Sequence, residues 1–166
     1  MNLRFDHSSS YQILQSLGKG GMGEVFLAQE GVSGRLVALK RMRAELKDSA
    51  VLRERFLREA RITATLTHPS IIPVFNIYAD QSIPYFTMPY VEGETLKKIL
   101  KTAFEEEKIA EPKHPIGSSI MALTRIFLSV CEAVAYTHAK GILHRDLKPD
   151  NIIVGKYGEV LILDWG

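Results

Sequence analysis

The amino-acid sequence predicts an α+β protein: a small antiparallel β-sheet lobe that carries one long helix, followed by a mainly helical lobe. Three observations carry that prediction. Residues 11–39 hold three short runs of alternating or apolar character, separated by glycine-rich connections. From residue 48 the apolar positions fall in steps of three and four, the helical period. That period returns over residues 119–140, after a linker and an acidic, proline-bearing stretch.

In order along the chain, residues 11–17 alternate apolar and polar side chains, and residues 25–28 and 36–39 are short apolar runs. Glycine-rich connections at 18–23 and 31–34 join them into an antiparallel meander. Asp48 or Ser49 is a good N-cap for a helix with Leu52, Phe56, Glu59, Thr63 and Leu66 on one face, which His68 and Pro69 are expected to end. Residues 71–78 and 83–88 are strand candidates, and Pro73 and Pro84 place them at an edge or bulge. Residues 88–93 read as a linker. A helix is expected to start over 95–101 and run into a surface loop at 105–119. Ser118 or Ser119 then caps a second long helix with Leu123, Phe127, Val130 and Val134 on one stripe and Gly141 as its stop. Short strands are expected at 142–143, 152–154 and 160–163, with 155–158 as the turn between the last two. No internal repeat or low-complexity tract is visible.

Composition bounds the function. A chain of 166 residues with 46% hydrophobic content can build one ordinary domain, or two small lobes with cores of their own, which argues against disorder. The formal net charge of +2 and the lack of any run of five like charges give no reason to expect nucleic acid or a membrane surface as a partner. Cys131 is the one cysteine; it falls in a helical apolar pattern and has no internal disulfide partner, so a reducing, cytoplasmic setting is expected. Residues 1–6 lack the apolar core of a signal peptide, and no uninterrupted apolar stretch approaches the roughly 18–20 residues of a membrane span.

The chemistry-bearing residues fall in three groups. Residues 144–151, from His144, Arg145 and Asp146 through Leu147 and Lys148 to Asn151, match the phosphoryl-transfer pattern H-R-D-L-x-x-x-N at every fixed position, and Asp164, Trp165 and Gly166 follow, close to D-F-G. Gly18, Gly20 and Gly23 form G-x-G-x-x-G, which by itself also fits a dinucleotide fold or a ligand-free hairpin. A dinucleotide fingerprint should open a helix, whereas residues 24–28 continue as a strand with Val25 in place, and no Gly-Lys-Ser or Gly-Lys-Thr follows to make a Walker loop. Glycines there leave room for backbone N–H groups to approach phosphate oxygens. Lys40 ends a run Val37, Ala38, Leu39 that differs from V-A-I-K only by leucine. Glu59 sits within an apolar stripe, where an unpaired carboxylate is costly, so it either finds a cation or lies at the stripe's edge and reaches water. The neighbouring Arg53, Arg55, Arg58 and Arg61 are read as solvated.

On these residues, from the glycine loop at 18 through the run 164–166, the chain resembles a bacterial eukaryotic-like (Hanks-type) serine/threonine protein kinase. The resemblance implies a protein-kinase-like fold: a sheet lobe with one regulatory helix over 1–88, a hinge at 89–94, and an incomplete, mainly helical lobe over 95–166. It implies transfer of the ATP γ-phosphate to serine or threonine hydroxyls of a protein substrate, with Mg²⁺, or Mn²⁺ as an alternative. Asp146, Lys148, Lys40 and Glu59 become the catalytic set, and Asn151 and Asp164 the metal ligands. Leu17, Gly18, Lys19, Gly20, Gly21, Met22, Gly23, Val25, Ala38, Lys40, Met88, Pro89 and Val91 become the nucleotide site, with Met88 as gatekeeper and Glu94 assigned to the ribose. His144 takes a structural role. The full-length kinase is allowed a dimer.

Three departures accompany the resemblance: Trp165 stands where most kinases have Phe, Thr63 where many have an apolar residue, and the stretch 105–119 is long. No activation loop or A-P-E motif appears by residue 166, so the chain is expected to be the first part of a catalytic domain. A catalytically silent nucleotide-binding or interaction module is the alternative.

Overall fold

The computed structural model describes residues 11–106 and 120–165. They belong to two compact units, one drawn from Met1–Thr65 and Pro73–Tyr90, the other from Leu66–Ile72 and Val91–Gly166.

Among the described residues, the first unit is a five-stranded sheet with one α-helix. Strands β1 (Tyr11–Lys19), β2 (Gly23–Glu30), β3 (Leu36–Met42), β4 (Asn76–Tyr78) and β5 (Tyr85–Pro89) lie in the order β1-β2-β3-β5-β4, with every pair antiparallel. Alternation puts Tyr11, Ala28, Val37, Leu39 and Tyr85 into one buried cluster. Tyr78 stacks on Tyr85 with centroids 4.4 Å apart, and Tyr11 meets both edge-on. The strands run longer than the apolar runs suggest because glycine and charged residues at their ends still pair, as in Lys19 with Glu24 and Glu24 with Arg41.

Helix α1 (Ala50–Ala64) starts at Ser49, whose side chain accepts from the Leu52 N–H at 3.4 Å. Phe56, Leu57, Glu59, Ala60 and Thr63 are its buried face. The helix stops at Ala64, four residues before the expected His68–Pro69 terminus. Thr65 closes it: its N–H and its hydroxyl both bond the Ile62 carbonyl, at 3.0 and 2.7 Å, which tightens the last turn. Leu66, expected on the helix face, is buried in the second unit instead.

The run 71–78 is not one strand. Ile71 and Ile72 belong to the second unit, where Ile71 bridges Ile162 in parallel and the Ile72 N–H bonds the Ile162 carbonyl at 3.2 Å. Pro73 has no N–H to extend a ladder, and pairing resumes at Phe75, whose N–H bonds the Thr87 carbonyl at 2.7 Å just ahead of β4. Likewise β5 begins at Tyr85, after Pro84, whose carbonyl accepts from the Met42 N–H at 2.9 Å. The expected linker at 88–93 shrinks to residues 90–92, since Met88 and Pro89 end β5 and Gly93 opens β6.

The second unit holds β6 (Gly93–Thr95), α2 (Leu96–Glu106), α3 (Ile120–Ala139), β7 (Ile152–Gly155) and β8 (Val160–Ile162), the strands forming an antiparallel sheet in the order β6-β7-β8. Helix α2 carries on to Glu106, past the expected start of the loop, while the remainder of that loop and the Ser118 and Ser119 caps lie outside the described residues. The buried stripe of α3 is Ile126, Val130, Ala133 and Thr137; of the expected residues only Val130 is fully buried, Leu123 and Val134 are half-buried, and Phe127 is 67% exposed. Steps of four and three through 126, 130, 133 and 137 fit the period equally well; Thr137 and Ala133 are too weakly apolar to mark that face in sequence. Cys131 is exposed. By length and composition alone α3 could cross a membrane, though Arg125 and Glu132 interrupt it and one stripe is buried against its own unit. Gly141 ends it in a Schellman motif at φ 71°: the Gly141 N–H bonds the His138 carbonyl and the Ile142 N–H bonds the Thr137 carbonyl, both at 2.9 Å. Capping uses the donor that a strand at 142–143 would need, and none forms there.

Gly93 lies so close to β7 that an added Cβ would sit 2.3 Å from the Val154 carbonyl oxygen and 2.6 Å from Gly155 Cα, backbone atoms that cannot yield, whereas Gly21 has open space. Gly93→Ala is therefore expected to destabilise the second unit by about 2 kcal/mol or more, as overpacking does, and Gly21→Ala to have no such effect; urea denaturation of both variants measures this.

Candidate active site

In the first unit, the glycine turn is narrower than the motif. Leu17, Gly18 and Lys19 are still in β1 and Gly23 already in β2, so Gly20, Gly21 and Met22 make the turn, closed by a 2.8 Å bond from the Gly20 N–H to the Gly23 carbonyl. The Met22 carbonyl accepts from the Arg43 N–H at 3.0 Å, which fastens the turn to the end of β3. An added Cβ at Gly23 would meet the Arg41 carbonyl at 3.2 Å and Lys40 Cε at 3.3 Å. Glycine there makes room for the lysine.

Lys40 is central in the sheet, paired in register with Val25 on one side and Phe86 on the other. Its Nζ donates to Glu59 Oε1 at 2.6 Å, and both residues are only 8% exposed. Of the two readings open for Glu59 the structure selects the paired one. Phe86 lies under the ammonium, 5.8 Å from ring centre to Nζ, and packs on Phe56 of α1 at 5.4 Å. Ala38 and Met88 are buried register partners on β3 and β5; Pro89 closes β5 opposite Val37, and Val91 follows in the 90–92 connection, where it is counted with the second unit.

In the second unit, residues 144–151 form a loop that closes on itself. The buried His144 ring donates from Nε2 to the Leu163 carbonyl at 2.7 Å and accepts at Nδ1 from the Asp146 N–H at 3.3 Å, which fixes its tautomer and hangs the loop on the end of β8. Arg145 between them takes a positive φ of 64°, as does Asp164 at 58°, backbone that non-glycine residues rarely adopt and that concentrates at functional sites. Pro149–Asn151 is a short 3₁₀ turn. The Asn151 amide donates to the Asp146 carbonyl at 2.9 Å and to Asp146 Oδ2 at 3.3 Å. Both neighbours are acceptors, so the NH₂ end must face them, and the Oδ1 end is directed elsewhere. The Leu163 N–H bonds the Asn151 carbonyl at 2.9 Å, which sets Asp164 next to this loop.

Lys148 donates to Asp146 Oδ2 at 2.6 Å. That bond and its charge, with a further contribution from Asn151, hold the Asp146 carboxyl below the usual carboxylate range, and Asp146 in turn raises Lys148. Asp164 is near enough to add to the rise of Lys148. Trp165 is fully buried, its ring 4.6 Å from that of His144, and its indole N–H meets no acceptor among the described residues. Glu94, assigned to the ribose by resemblance, is engaged by Lys98 at 2.5 Å. Two features escaped the sequence reading. Lys97 of α2 pairs with Asp150 at 2.8 Å and so braces the turn that carries Asn151, and Arg53, read as solvated, bonds three carbonyls of the β4–β5 loop. Neither has a signal at short sequence range.

Because the depressed pKa of Asp146 comes first from Lys148, Lys148→Ala is expected to move its titration midpoint upward toward the ordinary aspartate value, so that the carboxylate protonates at higher pH than in the wild type. Carboxyl-detected NMR titration of the two proteins checks this.

Comparison with known proteins agrees with the geometry. Residues 11–166 match the family described as protein kinase domain. The chain is 55% identical over 159 residues to serine/threonine-protein kinase PknD of Protochlamydia amoebophila, and 49% identical over 156 residues to the PknD of Chlamydia trachomatis serovar D. These alignments cover 96% and 94% of this chain but only 16% and 17% of the relatives' length. The crystal structure of the M. tuberculosis PknI kinase domain superposes with a TM-score of 0.69 at 27% identity, over 93% of this chain and 57% of that one. A match along nearly all of its length, on a fold that places the lysine, the helix glutamate and the catalytic-loop residues as described, makes this chain a member of the protein kinase family.

Proposed function

We propose that residues 11–166 are the nucleotide-binding and catalytic part of a serine/threonine protein kinase, which transfers the γ-phosphate of ATP to a serine or threonine hydroxyl of a protein. The observation that carries this reading is the buried 2.6 Å pair between Lys40 and Glu59 in the same chain as an ionised Asp146 held by Lys148 and Asn151.

Each unit has its part. In the first, the N–H groups of the 20–22 turn and the Lys40 ammonium receive phosphate oxygens, Glu59 keeps Lys40 extended, and Val25, Ala38 and Met88 line the adenine side, with Pro89 offering its carbonyl; Val91, already in the second unit, offers its backbone groups. In the second, Asp146 accepts the proton of the attacking hydroxyl, while the Lys148 ammonium offsets charge on the transferred group. Protein kinases use ATP with Mg²⁺, and the donor set here fits that ion: Asn151 turns an amide oxygen away from Asp146, Asp164 is an exposed carboxylate beside the same loop, and both are hard oxygen donors. Mg²⁺ or Mn²⁺ held there would neutralise charge on the phosphates. Residues 1–88, less 66–72 which fold with the second unit, act as the nucleotide lobe, 89–94 as hinge and 95–166 as the catalytic lobe, in a cytoplasmic setting. Lys148 and the names of the relatives support serine or threonine as acceptor.

The solved PknI kinase domain is longer than this chain, so phosphotransfer is tested in a protein where residues 1–166 are followed by the remainder of the Protochlamydia PknD kinase domain. Asp146→Asn is expected to lower the chemical step by at least about 100-fold with little change in ATP affinity, as for a positioned base. Single-turnover assays with radiolabelled ATP measure it; nucleotide binding with no Asp146-dependent transfer would favour the silent module.

A further inference from the structure

Arg53 is in the first turn of α1, the end at which a cation opposes the helix dipole, and that turn carries no acidic residue to compensate. Its guanidinium is instead satisfied from outside the helix. Nη2 donates to the Ala79 carbonyl at 2.5 Å and the Gln81 carbonyl at 2.7 Å, and Nη1 to the Ser82 carbonyl at 3.2 Å. These three carbonyls belong to the six-residue connection between β4 and β5. One planar fork therefore ties the start of α1 to that loop, in a way a lysine ammonium cannot copy. From there the packing is continuous to the ion pair: Phe56, three residues along α1, meets Phe86 of β5, and Phe86 is the register partner of Lys40. Arg55 and Arg58, on the same helix, are exposed and make no comparable set of bonds among the described residues.

We propose that Arg53 is a positioning residue for the Lys40–Glu59 pair: by clamping the β4–β5 loop it sets the placement of α1 at which Glu59 reaches Lys40. Its consequence for nucleotide rests on the role given to Lys40 above, whereas its effect on the pair does not.

Two readouts separate these. The first needs no nucleotide: the rate at which acetic anhydride modifies Lys40, followed by mass spectrometry, with Lys101 as an internal control. Arg53→Ala is expected to raise Lys40 modification about 3- to 10-fold, to leave Lys101 unchanged, and to add nothing in a Glu59→Gln background, because the two residues act on one element. Arg53→Lys should recover only part of the protection. The second is calorimetry with MgATP and with adenosine, where Arg53→Ala should weaken MgATP by a similar factor and leave adenosine unaffected. Unchanged Lys40 modification, an equal rise at Lys101, or the same rise with Glu59→Gln present would each overturn the proposal. Should Arg53→Ala fail to fold by circular dichroism, Arg53→Lys carries the same comparisons with the charge retained. Protection of Lys40 that depends on Arg53, without any MgATP binding, would uphold the positioning role and remove the function assigned to Lys40.

Discussion

A buried lysine and a buried glutamate face each other in the first unit, and most of that unit's polar design follows from the need to keep them together. Either charge alone would be strongly disfavoured there; removing one partner from a buried pair typically costs about 3–5 kcal/mol, because the survivor is left desolvated. The pair forms only if β3 holds Lys40 inward and α1 turns Glu59 toward it. Gly23 leaves space beside the lysine stem, Phe86 lies under its ammonium, and Phe56 holds the helix to that ring. Such a pair adds little net stability beside an apolar replacement of equal volume, so its presence points to a use for the lysine charge.

The second unit solves a related problem with different means. A loop that must present a carboxylate cannot be a regular element, so its backbone is fixed by side chains. His144 spans from β8 to the Asp146 N–H, Asn151 binds the Asp146 carbonyl and carboxylate, and Lys148 holds the carboxylate itself. Two non-glycine residues have positive φ, Arg145 between His144 and Asp146 and Asp164 just after Leu163, and the buried contacts of His144 and Trp165 oppose the relaxation of that strain.

Much of this was legible in the sequence because the motifs are local. Residues 144–151 and the run Val37 to Lys40 carry their pattern within a few positions, and a lone glutamate in an apolar stripe narrowed Glu59 to two readings, a cation partner or the stripe's wet edge, between which only the fold decided. What sequence did not show depended on distant partners or on donors already in use. The apolar run at 71–78 was divided between two cores, α3 kept Val130 inside but turned Ile126 and Ala133 further inward than Phe127 and Val134, and Ile142 gave its N–H to a helix cap. Arg53 looked like any surface arginine, since the carbonyls it serves are 26 to 29 residues away.

The central claim is that the Lys40–Glu59 pair exists to bring a cation to nucleotide phosphates. A double-mutant cycle on MgATP affinity tests it most directly, with Lys40→Met, Glu59→Gln and both together compared by calorimetry. The account predicts that each single change weakens MgATP by about tenfold or more while adenosine binds as before, and that the double variant is scarcely weaker than Lys40→Met, since Glu59 acts only through the lysine. Undiminished MgATP binding by Lys40→Met, or losses that simply add, would contradict it.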